Sequence, residues 1–156
     1  MNNGLTPLWN EDDLGRWFDI FIDRTEEKTY QLLAKAGEVF VKYAREHGGY
    51  RDQTGNLRSS IGYTIICDNE ILTENFEQSD TGTDRTTGLG KARQLAMQVG
   101  SSHPTGWALI CVAGMTYAAS VEAMGKDVIT NAATATEEDL RKQIQKVFDK
   151  ADDYGR

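Results

Sequence analysis

A helical stripe that stops at two glycines, followed within a dozen residues by alternation of period two, most constrains what this chain can fold into. Leu32, Leu33, Ala36, Val39, Phe40, Tyr43 and Ala44 recur at helical spacing and make one apolar face about 100° wide. Gly48 and Gly49 come next, where glycine ends helices by entering conformations other residues avoid. His47 sits in the last turn, placed for capping the negative helix end rather than for catalysis. Beyond, Ile61, Tyr63, Ile65 and Cys67 alternate with Gly62, Thr64, Ile66 and Asp68, which is the pattern of a strand. The connection between them reads Tyr-Arg-Asp-Gln-Thr-Gly-Asn-Leu-Arg-Ser-Ser over 50–60. Thr54, Gly55 and Asn56 are turn formers, Leu57 is an apolar pin, and Arg51 and Arg58 flank it. On the residues alone this is a stiff, charged corner in an α+β domain.

Upstream, helical spacing begins at Glu11 with Leu14, Trp17, Phe18 and Phe21, although Phe18, Ile20 and Ile22 also alternate and leave a short strand open there. Residues 1–10 read as a flexible arm. Trp9 and Trp17 are large apolar groups near a terminus that dock on the chain's own body or on a neighbouring subunit. Downstream, Asp68-Asn69 is a turn, and Ile71 and Leu72 begin a returning strand, so 60–76 reads as a hairpin. Residues 77–88, rich in Thr, Asp and Gly, read as a mobile loop. Leu89, Ala92, Leu95, Ala96 and Val99 form a short amphipathic helix. Trp107 to Val112 is almost wholly apolar and reads as a central strand covered on both faces. A short helix over Tyr117 to Met124, stopped by Gly125, and a brief strand at Asp127 to Ile129 follow. An amphipathic helix closes the chain, with Thr136 and Asp139 in a capping-box pattern and Leu140, Ile144, Val147, Phe148 and Ala151 on one face.

The 156 residues suit one domain, 1–156, with no repeat or linker. No apolar run reaches the roughly 20 residues that span a bilayer, and the first residues have no secretory character. With 17 basic and 24 acidic residues the formal charge is −7, the wrong sign for a protein that grips nucleic acid by its phosphates. An acidic lumen past which DNA slides is compatible with that charge. Cys67 and Cys111 lie in apolar β-like segments. A disulfide between them is left open by the sequence, but free thiols in a reducing compartment fit better.

Several short motifs invite chemistry and fall short of it. Asp80-Thr81-Gly82 matches an aspartic-protease half-site, but that chemistry needs two carboxylates sharing a proton behind apolar strands, and this stretch is polar throughout. Gly88-Leu89-Gly90-Lys91 lacks the earlier glycine and the following Ser or Thr of a phosphate loop, so its glycines start the short helix instead. His47, Cys67, His103 and Cys111 have no zinc-ligand spacing. Ser59 and Ser60 lie outside any nucleophile elbow and are placed to cap the first strand. Glu122, among small residues, is expected to be solvated or in a weak exposed ion pair.

Two segments together carry a resemblance. The corner Thr54 to Ser60 after a long helix, and the run Val112-Ala113-Gly114-Met115-Thr116-Tyr117-Ala118-Ala119-Ser120-Val121-Glu122, stand in an order and separation that resemble the neck (head–tail joining, minor tail or tail-completion) proteins of long-tailed phages and prophages. The likeness spans roughly residues 25–150. It implies an α+β subunit with a long N-terminal helix packed on a small antiparallel sheet, a short middle helix and a C-terminal amphipathic helix. It further implies a non-enzymatic virion component, made in the host bacterial cytoplasm, that assembles as a ring between head connector and tail. Its partners are then copies of itself and the connector and tail proteins. DNA passes by unbound, and no cofactor, metal, membrane or small-molecule substrate is involved. Thr54, Gly55, Asn56, Leu57, Arg58, Tyr117, Ala118 and Glu122 carry over as shape-setting or contact positions, with no catalytic residue. The competing expectations are an intracellular α+β interaction domain unrelated to phage, and a hydrolase using Asp80 or a serine.

Overall fold

The structure, a computed structural model, describes residues 11–154, without the side chains of 11, 13, 14, 17, 18, 21 and 151–154. The arm expected at 1–10, with Trp9, and the side chain of Trp17 therefore lie outside the described residues, as does that of Ala151. The fold is α+β, in the order α1 (Glu11–Glu46), α2 (Asn56–Ser59), β1 (Ile61–Cys67), β2 (Glu70–Phe76), α3 (Thr86–Gly100), β3 (Trp107–Ala113), α4 (Ala118–Ala123) and α5 (Thr130–Tyr154). By contact density the chain forms two compact units, one ending at Gln31 and one from Leu32 onward.

The first unit is the leading part of α1. The alternation of Phe18, Ile20 and Ile22 yields to helix, because the apolar residues from Glu11 onward also satisfy the 3.6-residue period and the segment runs without a break into the stripe that follows. Local bonds support it: Thr29 Oγ1 donates to the Thr25 carbonyl at 2.9 Å and Gln31 Nε2 to Glu27 Oε1 at 3.2 Å.

The second unit is built around a three-stranded antiparallel sheet of order β2-β1-β3. β1 is central and β3 an edge strand, which corrects the expected placement. The nearly unbroken apolar run of β3 is half-buried, whereas β1, whose pattern alternates, is buried along almost its whole length. The physical reason is the layering. Residues 32–46 of α1 cover one face of β1. Ala36, Phe40 and Ala44 are buried, and a Cβ on Gly37 would lie 2.6 Å from the Tyr63 ring. α3 covers the other face through Ala92 and Ala96, which pack with Ile66, Ile110 and Val112. A central strand flanked on both sides is buried whatever its alternation. Gly62 and Thr64 are the small residues that let α3 and β2 approach, and a Cβ on Gly62 would meet the Phe76 ring.

α1 is stitched to the sheet by polar bonds at its edge. Tyr63 Oη donates to Glu38 Oε1 at 2.6 Å, and Asn75 Nδ2 to the same oxygen at 2.9 Å. Arg45 Nη2 donates to the Ile61 carbonyl at 2.9 Å and its Nη1 to Glu77 Oε2 at 3.1 Å. Beyond Glu46 the helix ends at the expected glycines. The His47 ring stacks on Tyr43 with centroids 4.4 Å apart, and its Nδ1 lies 3.1 Å from the Tyr43 carbonyl, the capping placement.

The hairpin forms as expected, with Asp68 and Asn69 at φ 48° and 69° in its two-residue turn. A bulge makes Leu72 the extra residue, since Ile65 pairs with Thr73 and Ile66 with Ile71. Two local expectations are overturned near the C-terminus. Asp127 to Ile129 is not a strand but the entry to α5. Thr136 is no cap either: it lies two turns inside that helix, buried, with Oγ1 donating to the Ala132 carbonyl at 2.7 Å. Cys67 and Cys111 are free and half-buried. In the β1–β3 register Cys67 faces Trp107 and Cys111 faces Tyr63, which sets them four positions apart and too far for a disulfide.

Candidate functional site

The corner after α1 is bound together by its own short polar side chains. Asp52 accepts from the Gly55 N–H at 3.0 Å and from the Arg58 N–H at 2.8 Å, so one carboxylate spans the turn. Thr54 Oγ1 accepts from the Asn56 N–H at 3.2 Å. Gly55 has φ 79°, a left-handed conformation that lets the chain reverse into α2. Ser59 Oγ donates to the Gly55 carbonyl and Ser60 Oγ to the Leu57 carbonyl, each at 2.7 Å. Both serines are fully buried.

The segment read as a mobile loop is fastened to this corner. Asp84 N–H donates to the Thr54 carbonyl at 2.9 Å, Ser79 N–H to Ser59 Oγ at 2.8 Å, and Arg85 Nη1 to the Ser79 carbonyl at 2.8 Å. Asn56, itself buried, accepts from the Gly88 N–H at 2.6 Å. Hydrogen bonds from Thr87 and from Asn56 hold the Asp84 carboxyl below the usual carboxylate range. Packing here leaves no room for side chains. A Cβ on Gly55 would strike the Thr81 carbonyl, and one on Gly82, at φ 118°, would strike the Thr54 carbonyl. α3 consequently starts at Thr86, three residues before the expected Leu89, because its first turn is anchored on Asn56.

The second segment arrives at the same place. β3 leaves the sheet at Ala113, the Gly114 N–H donates to the Ser60 carbonyl at 2.9 Å, and Tyr117 leads into α4. Tyr117 lines one recess with Thr54. Burial raises the Tyr117 hydroxyl pKa, an effect that the Thr54 side chain opposes and the nearby Asp52 charge reinforces. Tyr50, Leu57, Tyr117 and Val121, with Arg51 and Asp52 at the rim, enclose a recess of about 310 Å³. Its wall includes the Tyr50 ring, with the Arg58 guanidinium 5.8 Å from the ring centroid. Burial pushes the Tyr50 hydroxyl up to about 12, with Arg58 acting in the opposite direction. Ala118, buried, seats the first turn of α4.

Glu122, expected to be solvated or in a weak ion pair, is partly exposed and takes a capping role instead. Its Oε1 accepts from the N–H groups of Val128 at 3.0 Å, Ile129 at 2.7 Å and Thr130 at 3.0 Å, and so caps the start of α5. Asp127 adds a bond from the Asn131 N–H at 3.0 Å. Burial works to raise the Glu122 pKa, and the backbone donors together outweigh it and lower the value. The sequence signal for this was Glu122 lying a few residues before a polar helix start, across Gly125. A capping search limited to N-cap and N3 spacing misses it.

Asp80 is exposed and lies with Arg45, Glu46, Arg58 and Glu77 around a cleft of about 340 Å³. Arg45 faces Glu77 there, and the Nε atoms of Arg45 and Arg58 are buried. Among the described residues, no group of three or more His, Cys, Asp and Glu side chains is arranged to hold a metal ion. No described helix is long and apolar enough to cross a membrane. Of the eight positions singled out in the sequence, Thr54, Leu57 and Tyr117 line one recess, Gly55, Asn56 and Arg58 belong to the corner beside it, Ala118 seats α4, and Glu122 caps α5. No family model, curated protein or solved structure matches the chain.

Proposed function

We propose that this chain is a non-enzymatic structural subunit of a tailed-phage particle, acting where head joins tail as a ring of identical copies. The observation that carries this reading is that Thr54 and Tyr117 line one recess. The two segments on which the resemblance rests are far apart in the chain, yet they build one surface. Its working feature is a recess with an apolar lining and a charged rim, which suits an anchoring side chain from another protein. The corner beneath it is held by buried hydrogen bonds, so the recess is preformed and loses little freedom on binding. A formal charge of −7 fits a lumen that DNA traverses without adhering. The partners are copies of this chain, the head connector and the tail proteins, and the place of action is the virion after assembly in the host cytoplasm.

Sedimentation velocity and negative-stain microscopy test the reading. The purified chain is examined alone and with a head-connector and a tail-tube protein. Closed rings, or incorporation between connector and tube, support it. A chain that remains monomeric in both settings and is missing from particles sinks it.

A further inference from the structure

Resting on the ring reading, we propose that successive copies join head to tail, with the β1–β2 turn end of one copy seated against the Tyr117 recess of the next. The two surfaces lie at opposite ends of the same sheet. β1 starts at Ile61 directly after the corner that forms the recess, and finishes at Cys67 beside the turn. Six residue steps separate these ends, about 20 Å at the rise of a strand.

The turn end carries exposed apolar side chains: Ile71 is 52 % exposed, Leu72 44 % and Met97, from the last turns of α3, 65 %. Grouped apolar exposure of this kind marks an interaction surface. The outer edge of β2 is interrupted by the Leu72 bulge, which disfavours addition of another strand. Side chains, not backbone, are therefore what this end offers. The recess offers the matching partner surface, lined by Tyr50, Leu57, Tyr117 and Val121.

The rim charges select a second copy as the occupant and orient it. Arg51 is exposed at the recess, and Glu70 is exposed beside Ile71. Their neighbours are already committed: Asp52 accepts from the Gly55 and Arg58 N–H groups, and Asp68 Oδ1 accepts from the Gly106 N–H at 2.7 Å. Arg51 is thus the exposed cation at the recess, while Glu70 and the still-charged Asp68 make the turn end acidic. A two-fold contact of the same two surfaces would pair Arg51 with Glu70 twice and stop at a dimer, whereas a ring needs the head-to-tail form. A head-to-tail contact sets Arg51 beside Glu70, uses two different patches, and repeats until rotation closes it.

The test is a charge exchange read by sedimentation at rising concentration, with circular dichroism confirming that both surface variants stay folded. Arg51→Glu alone and Glu70→Arg alone each place like charges at every junction, and each is expected to weaken self-association about tenfold. An equimolar mixture of the two variants restores opposite charges at every junction of an alternating assembly, and is expected to recover wild-type association. Recovery on mixing supports the interface. Association that ignores both substitutions, or that mixing fails to restore, overturns the interface and leaves the ring reading standing. A wild-type chain that never self-associates up to its solubility limit overturns the interface as well. The ring reading then stands or falls separately, by incorporation between connector and tail tube.

Discussion

Asn56 Oδ1 lies 2.6 Å from the backbone nitrogen of Gly88, a buried hydrogen bond that ties the corner after α1 to the first turn of α3. The Asn56 side chain also lies near enough to Asp84 to help lower its carboxyl pKa. Asn56→Ala strands the Gly88 donor in the interior and is expected to cost about 1–3 kcal/mol. Asn56→Asp keeps an acceptor but sets a carboxylate against Asp84. Its deficit at neutral pH is expected to shrink as the pair protonates. Urea denaturation of both variants at neutral and acid pH measures this.

Gly55 and Gly90 are expected to respond to alanine in opposite ways. Gly55 is left-handed and its missing Cβ would meet the Thr81 carbonyl, so Gly55→Ala is expected to destabilise by about 2 kcal/mol or more. Gly90 lies inside α3 with nothing within 4 Å of a built Cβ. Gly90→Ala is expected to stabilise by about 0.5–1 kcal/mol through the lost freedom of the unfolded chain. Thermal melts of the two variants decide both signs.

The Glu122 cap makes stability depend on pH in a stated direction. Its pKa is lowered on folding, so the native state favours the charged form. The stabilisation is complete above the unfolded pKa and disappears as pH falls through the folded one. Glu122→Gln is expected to cost about 0.5–2 kcal/mol near neutrality, as loss of a cap does. The gap from wild type should narrow below about pH 4, where unperturbed carboxylates protonate. A gap that stays constant across this range would contradict the charged cap.

Burial pushes the Cys111 thiol up to about 12. At pH 8 the native protein then holds about a thousandfold less thiolate at this position than an ordinary thiol near 9 would. Alkylation followed by peptide mass spectrometry is expected to label Cys111 slowly in the native state, and rapidly once urea unfolds the chain.

Much of this architecture was legible in the residues. The Leu32–Ala44 stripe, the glycine stop, the Asp68-Asn69 hairpin and the short helix before Gly125 are local patterns, and local patterns survive folding. The errors came where neighbours decide. β3 reads as central by composition, yet lies at the edge. β1 reads only as an alternating strand, and its cover of α1 and α3 on opposite faces is not visible in that pattern. Thr136 and Asp139 spell a cap, but α5 had already begun at Thr130 because Glu122 reaches its N–H groups from α4. The expected mobile loop at 77–88 is polar, as read, and its polar groups are spent on the corner, a pairing no spacing rule reveals.

By itself the sequence determined that a long amphipathic helix must hand over to a hairpin through a turn only Thr54, Gly55 and Asn56 could shape. It did so because backbone preference and periodicity act over a few residues. Tertiary structure alone decided that Tyr117 would line a recess with Thr54, and that Gly82 would pass against the Thr54 carbonyl. Those contacts join residues distant in the chain, and their energies depend on which surfaces the packed helices and sheet bring together.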